Sequence, residues 1–133
     1  MEKAISETDP DVMGTGALSV HYPIIKPILD TARRAKPSII NMLGNGIVTS
    51  EPELMISATE ADIGVIGEAE ETVVELSRAL KEGRDLSGVD GIAFNDGKGG
   101  VTLTPPRKSI RDLDSIPCPD YEGFEFVRHL QLQ

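Results

Sequence analysis

Three short apolar runs, separated by stretches with helical spacing, dominate the first half of the chain. The runs cover residues 11–18, 38–44 and 62–67, and none alternates regularly between apolar and polar side chains. A strand covered on both faces of a parallel sheet has this pattern. We therefore predict three parallel strands with right-handed helical crossovers between them.

The intervening stretches predict the helices. Residues 23–36 carry apolar side chains near helical spacing, and a shorter helix is expected to begin at Ser50, because Ser50 and Glu53 have the spacing of a capping box. A third helix is predicted over residues 70–82, with Gly83 in the position that closes a helix. Its expected buried face consists of Val73, Val74, Leu76, Ala79 and Leu80.

The pattern changes after residue 90. Residues 91–94 and 101–104 flank the glycine-rich segment 95–100, which predicts a β-hairpin. The fold class is therefore α/β, a three-layer Rossmann-like or flavodoxin-like parallel sheet with an added C-terminal β-hairpin. Three parallel strands are fewer than a doubly wound domain normally has, so we expect a sheet truncated at its N-terminal strands.

The last part of the chain has weak periodicity. Pro117-Cys118-Pro119 cannot lie inside a helix or a central strand, which indicates an extended segment. We divide the chain into a partial α/β domain over residues 1–104 and a linker over residues 105–133. A short helix is expected near residues 124–132.

Charge and composition narrow the class of partner. The chain has 133 residues and a formal net charge of −9, which disfavours binding to nucleic acid or to an anionic membrane surface. There is one cysteine, and the sequence contains neither an apolar run long enough for a membrane span nor a signal-peptide core at its start. These features predict a cytoplasmic protein.

Small residues are concentrated where the predicted strands end. Ligands of open α/β sheets bind outside the carboxyl ends of the strands, where glycine lets a ligand approach the backbone and helix N-termini favour phosphate. Turns between strands and helices also need glycine, so spacing alone leaves binding and a purely structural role equally open. The candidate binding residues are Thr15, Gly16, Ala17, Leu18, Ser19, Gly44, Asn45, Gly46, Gly67 and Glu68.

Other chemistry has little support in the sequence. His21 lies near the predicted strand ends, where a ligand contact and a plain surface role are both open. Cys118, between two prolines, is expected to be a bystander, and no set of residues has metal-ligand spacing. A receiver-type signalling domain would need acidic residues at the first strand ends, where glycines stand instead. We predict no catalytic centre in this chain.

Several stretches resemble a known family. They occur in the order and spacing found in the second half of the cobalamin-binding domains of cobalamin-dependent radical S-adenosylmethionine (radical SAM) enzymes. The tail resembles the connector that leads into the radical SAM barrel of those enzymes. The matching stretches are residues 11–18, 22–23, 43–49, 61–72, 91–94, 106–107 and 113–121.

The resemblance implies that cobalamin lies over the strand ends with its nucleotide tail buried against the sheet. The Ser-x-Leu position of the family corresponds to residues 16–18, and its Leu-Gly-Gly turn corresponds to residues 43–45. The parent protein is then expected to be a radical SAM enzyme that performs methyl transfer or related radical chemistry. Its iron–sulfur cluster and S-adenosylmethionine would belong to a downstream barrel absent from this sequence, which makes the chain a fragment.

Departures from the family pattern leave a second reading open. Gly16 lacks the hydroxyl of the family's serine, and Asn45 adds a side chain where the family has glycine. The alternative is an interaction or scaffold module that does not bind the cofactor. In either case the strand over residues 11–18 would have an unpaired edge, which predicts a homo-oligomer through this strand or an N-terminal segment folded back onto it.

Overall fold

The backbone is organised around one five-stranded sheet with the strand order β1-β2-β3-β4-β5. The computed structural model describes residues 1–123 and 126–130, except for the side chain of His129. The first three strands are mutually parallel and the last two are antiparallel to their neighbours, so the predicted sheet and hairpin are confirmed. The strands are β1 (Val12–Gly16), β2 (Ile40–Gly44), β3 (Ile63–Val65), β4 (Ile92–Asn95) and β5 (Val101–Leu103).

Helices occupy both sides of the sheet. Single 3-10 turns lie at Ser19–His21, Leu86–Gly88 and Leu113–Ser115. The predicted terminal helix is present as a five-residue helix, and residues 124, 125, 131 and 132 of that prediction lie outside the described residues. The α-helices are α1 (Glu2–Thr8), α2 (Tyr22–Ala35), α3 (Gly46–Ser50), α4 (Pro52–Thr59), α5 (Glu70–Glu82) and α6 (Phe126–Leu130).

Apolar clusters fill the space between the helices and both faces of the sheet. Helices α2, α3 and α4 pack on one face of the sheet, where Leu29, Leu43 and Ile56 are buried. Helix α5 packs on the opposite face, where Leu76 and Ala79 are buried against β3 and β4. The three-layer α/β architecture is therefore confirmed.

The outermost parallel strand is only partly covered. Val12, Gly14 and Gly16 of β1 are exposed, whereas Met13 and Thr15 on its other face are half-buried. The prediction that this run is covered on both faces is wrong for β1. Helix α5 lies over β3 and β4, and in the described part of the chain no element covers the same face of β1.

The N-terminal segment forms a helix that the pattern did not predict. Ile5 of α1 is 6% exposed and packs against Ala32 of α2 and Ile39, which precedes β2. The segment thus folds back, but against α2 and not along β1. Strand β1 keeps an edge position in the sheet.

The expected start of the second helix is wrong. Ser50 is the last residue of α3, and its hydroxyl donates a hydrogen bond to the Gly46 carbonyl oxygen at 2.8 Å. Helix α4 begins at Pro52, a residue suited to a first turn because it needs no N–H partner. Residues 46–50, directly before it, form the separate short helix α3, whose Ile47 and Val48 are buried.

Helix α5 has the predicted limits but a narrower apolar face. It runs from Glu70 to Glu82, and Gly83 closes it in the left-handed conformation at φ 64°. Val74, expected in the buried face, is 49% exposed, and Thr72 is buried instead. The buried residues Thr72, Leu76 and Ala79 lie along one line of the helix, and Val74 falls outside this line.

Candidate functional site

The ends of β1 and β2 lie side by side at the carboxyl edge of the sheet. Gly16 and Gly44 are partners in the parallel register. Beyond the strands, the Ile47 N–H donates to the Ala17 carbonyl oxygen at 2.8 Å, which fixes α3 against the end of β1. The first two groups of candidate residues, 15–19 and 44–46, are therefore brought together.

Packing requires glycine at one candidate position and leaves little room at a second. A Cβ atom on Gly16 would lie 2.9 Å from the Gly44 carbonyl oxygen, a distance that side chains do not tolerate. A Cβ atom on Gly46 would lie 3.0 Å from Cδ2 of Leu18. Close approach of two backbones explains Gly16, whereas a side chain at position 46 would require the exposed end of Leu18 to shift by a few tenths of an ångström.

Two other candidate glycines face open space. A Cβ atom on Gly44 or Gly67 would meet no heavy atom within 4 Å. Gly67 also has φ +75°, a conformation that L side chains rarely adopt, and its N–H donates to Oγ1 of Thr49 at 3.2 Å. Packing does not require glycine at position 44, because the space at its Cβ position is open. The backbone does not require it either, because strand β2 is extended there.

A groove opens beside Gly44 on the uncovered face of β1. Its volume is about 300 Å³ and its wall is largely apolar. Of the residues in this wall, only Thr15 and Gly44 were predicted from the sequence, although side-chain alternation places Gly14 and Met42 on the same face as Gly16 and Gly44. The groove is lined by Gly14, Thr15, Met42, Gly44, Val65, Ala69 and Val73.

Asn45 has an unusual backbone conformation at the end of β2. Its φ is 69° and its ψ is −169°, a region that is populated almost only by glycine. The Asn45 side-chain oxygen accepts a hydrogen bond from the Gly46 N–H at 2.6 Å. This bond offsets part of the backbone strain at the carboxyl edge of the sheet. We refer to this edge, with residues 15–19, 44–46, 67 and 68, as the rim.

The turn after β1 is held by its own side chains. The Leu18 N–H donates to Nδ1 of His21 at 3.3 Å, which gives His21 a structural contact within the turn. The hydroxyl oxygens of Ser19 and Ser50 are 3.5 Å apart, which links this turn to α3. Leu18 itself is 56% exposed beside the rim.

Glu68 lies at the rim but faces the C-terminal segment. Its Oε2 atom accepts a hydrogen bond from the Ile110 N–H at 2.7 Å. Glu68 is therefore placed next to Gly67, as the sequence suggested, while its carboxylate contacts a residue 42 positions later in the chain. No pattern in the sequence indicates this contact.

Metal-ligating side chains do not cluster in the described residues, where no group of three His, Cys, Asp or Glu side chains could hold an ion. Cys118 is exposed. Over the same described residues, no helix combines the length and the apolar character that a membrane crossing requires.

A comparison with protein families decides what this arrangement belongs to. The family model of the B12 binding domain matches residues 1–77, which is more than half of the chain. The chain belongs to the B12-binding domain family. The resemblance found in the sequence is thereby confirmed.

Relatives of this B12-binding domain are much longer proteins. It is 34% identical over 125 residues to an uncharacterized methyltransferase of Pyrococcus horikoshii, a match that covers 90% of the chain and 26% of the relative. It is 29% identical over 136 residues to the anaerobic magnesium-protoporphyrin IX monomethyl ester cyclase of Rubrivivax gelatinosus, covering 99% of the chain and 24% of the relative. The chain thus spans about a quarter of the length of these curated relatives.

Solved structures share the fold. The cobalamin-dependent S-adenosylmethionine radical enzyme OxsB with aqua-cobalamin bound superposes with a TM-score of 0.75 at 21% identity, covering 96% of the chain and 18% of OxsB. The radical S-adenosylmethionine methyltransferase TsrM of Kitasatospora setae gives a TM-score of 0.68 at 21% identity, covering 80% of the chain and 22% of TsrM. The Rossmann-like class is confirmed by these neighbours.

Proposed function

We propose that this B12-binding domain holds cobalamin, with the corrin ring over the ends of the parallel strands and the nucleotide tail in the groove. The observation that carries the proposal is the open space at Gly44, where a side chain would stand in the groove and where packing imposes no glycine. A cofactor that lies against bare backbone explains why no side chain is present there.

The groove suits the tail of cobalamin chemically. Met42, Val65 and Val73 form an apolar wall, which favours the flat aromatic base of a nucleotide tail. Gly44, in the wall of the groove, pairs with Gly16 at the end of β1, so a ligand would extend from the groove to the rim along these two residues. Cobalamin, when bound, supplies a cobalt centre for methyl transfer or radical chemistry.

We assign the candidate residues to three parts of the rim. Residues 15–19 would border the cofactor on the side of β1, residues 44–46 would contact it from the end of β2, and Gly67 would leave room above β3. In this arrangement Asn45 directs a polar side chain from the end of β2 toward the rim. Glu68 would shape the rim through its bond to Ile110.

The activity of the parent protein is a further part of the proposal. The relatives and structural neighbours include a methyltransferase, a cyclase and radical S-adenosylmethionine enzymes. We place this domain in a cytoplasmic cobalamin-dependent radical SAM enzyme, a methyltransferase or an enzyme of related radical chemistry. The iron–sulfur cluster and S-adenosylmethionine would then be held by another part of that enzyme.

Titration with hydroxocobalamin, followed by visible absorption, tests the proposal directly. We expect saturable uptake by the wild-type chain and loss of uptake in Gly44→Val, which places a side chain in the groove where a Cβ atom meets no described atom within 4 Å. Gly88→Val is the matched control, because Gly88 also has nothing within 4 Å of its Cβ position but lies in the turn after α5. An unchanged spectrum with the wild-type chain, or equal affinity in Gly44→Val, would contradict the proposal.

A scaffold module without cofactor is the second candidate. It is favoured by the strained backbone of Asn45, which stands where the family turn has glycine, and by the missing hydroxyl at Gly16. The same titration separates the two candidates. A wild-type chain that folds but takes up no hydroxocobalamin would support the scaffold module.

We further propose that the edge of β1 pairs with a second copy of the chain. Strand β1 ends the sheet, and its Val12 side chain is 36% exposed. Unpaired strand edges of this kind associate readily, and a lysine on the strand blocks such pairing. Light scattering is expected to show a dimer for the wild-type chain and a monomer for Val12→Lys. A wild-type monomer would refute the pairing.

A further inference from the structure

The segment after β5 does not leave the domain at once. We refer to residues 105–117 as the connector. Its first residue, Pro105, accepts a hydrogen bond from the Gly91 N–H at 2.8 Å. The connector then runs beside α5, and a cavity of about 550 Å³ lies between the two, lined by Val74 and Arg78 of α5 and by Ile110 and Ile116 of the connector.

Arg107 fixes the first part of the connector. Its side chain is only 17% exposed, and its guanidinium forms an ion pair with Glu75 and lies 3.8 Å from the Glu71 carboxylate. The same guanidinium donates to the Asp90 carbonyl oxygen at 3.3 Å. A Cβ atom on Gly91 would lie 3.1 Å from Cβ of Arg107, so the two backbones are in close contact here.

Glu68 fixes the next part. The bond from the Ile110 N–H to Oε2 of Glu68 joins the connector to the loop that follows β3. On its other side this loop is bonded to α3, because the Gly67 N–H donates to Thr49. The loop is therefore held between α3 on one side and the connector on the other.

We infer that Glu68 is a positioning residue that ties the connector to the rim of the sheet, so that a ligand on the rim and the docked connector stabilise each other. The inference rests on the proposed cobalamin site. Gly67 borders the rim and directly precedes Glu68 in the chain. A ligand that orders Gly67 therefore also orders Glu68, whose carboxylate accepts the hydrogen bond from the Ile110 N–H. Coupling of this kind is reciprocal, because each event favours the same loop conformation.

Limited trypsin digestion of the whole chain tests the tie without cofactor. Lys108 and Arg111 flank Ile110 and are exposed, so cleavage after them reports release of the connector. We expect Glu68→Ala to accelerate this cleavage on the order of tenfold, the factor that loss of a hydrogen bond to a charged acceptor gives. Glu68→Gln, which keeps an acceptor oxygen, should restore most of the protection.

Two controls belong to this digestion. Glu70→Ala changes a neighbouring carboxylate whose side chain forms no hydrogen bond or ion pair with the described residues. Lys98, in the exposed hairpin turn, is an internal reference whose cleavage should not change in any variant. Equal cleavage near Ile110 in Glu68→Ala and wild type would overturn the tie.

The second part of the experiment repeats the trypsin digestion in the presence of hydroxocobalamin. Saturating cofactor should slow cleavage after Lys108 and Arg111 in the wild-type chain and in Glu68→Gln, but not in Glu68→Ala. The visible titration should show a loss of cofactor affinity in Glu68→Ala alone, because the coupling between cofactor binding and docking of the connector is reciprocal.

The outcomes separate this inference from the proposed function. Cofactor uptake with unchanged cleavage would overturn the coupling and leave the cobalamin site intact. Absence of uptake by the wild-type chain would overturn both the proposed function and the coupling, whereas the tie through Glu68 is decided by the digestion without cofactor.

Discussion

Gly16 and Gly44 face each other across the β1–β2 pair, and their backbones approach so closely that a methyl group on Gly16 would lie 2.9 Å from the Gly44 carbonyl oxygen. The same methyl group would lie 3.2 Å from Cβ of Asn45. By the resemblance described for the sequence, position 16 corresponds to a serine of the family pattern and position 45 to a glycine. In this chain position 16 has no side chain. The Asn45 side chain, at the end of β2, lies next to the space that a side chain at position 16 would need.

Gly16→Ser is therefore expected to destabilise the fold by about 1–3 kcal/mol, the usual cost of an overpacked contact. Asn45→Gly in the same chain should remove part of this cost, because it removes one of the two obstructing groups. A double-mutant cycle from urea unfolding measures the coupling. Strict additivity of the two substitutions would show that the side chains do not compete for this space.

Asn45→Gly alone is expected to raise the free energy of unfolding by about 1 kcal/mol, since the strain of a glycine-type conformation exceeds the entropy that glycine adds to the unfolded chain. The lost bond to the Gly46 N–H reduces the gain. Asn95→Gly is the control, because Asn95 has no positive φ and its side chain accepts the Gly97 N–H at 3.0 Å. That control should destabilise the chain, and a destabilised Asn45→Gly would argue against strain.

Gly64→Ala tests the packing of the helices on the sheet. A Cβ atom on Gly64 would lie 2.5 Å from Cγ2 of Val48 and 3.0 Å from Cδ1 of Ile56, so α3 and α4 rest directly on the β3 backbone. We expect a loss of about 1–3 kcal/mol in unfolding free energy. Gly44→Ala, where nothing lies within 4 Å, should cost little or nothing. Equal effects of the two substitutions in urea unfolding would contradict this picture.

The stability of the hairpin turn depends on pH through the carboxylate of Asp96. Its carboxylate accepts the Lys98 N–H at 2.7 Å and the Gly100 N–H at 2.9 Å, and these bonds lower the pKa of Asp96. The stabilisation is present above the ordinary Asp pKa of about 3.9 and is lost as pH falls through the lower folded value. In NMR titrations both amide signals should shift together with a midpoint below that of unfolded Asp. Asp96→Asn should abolish the transition.

Local patterns were sufficient for the elements that contain several apolar residues in register. The three parallel strands, the hairpin and α5 with its closing Gly83 follow from such patterns. Helix α1 escaped prediction because its one buried residue, Ile5, creates no periodicity. Helix α3 escaped because it has five residues and begins with glycine at Gly46, so tertiary contacts hold it where propensity does not.

The rim was predictable and the groove was not. Small residues at strand ends indicated residues 15–19 and 44–46, which the fold does bring together. The groove exists because no described element covers one face of β1, and the sequence of β1 does not report which elements will lie above it. The Glu68 contact depends on a residue 42 positions away, beyond any local pattern.

The bare face of β1 gives a bound molecule a role in the integrity of the fold itself. Among the described residues, none forms a third layer above Val12, Gly14 and Gly16, so a ligand lodged there would supply that layer. Binding of the ligand would then raise the thermal stability of the chain. At a ligand concentration one hundred times the dissociation constant, the free energy of unfolding would rise by about 2.7 kcal/mol. Cofactor-free chains would be the first to be lost to proteolysis or aggregation.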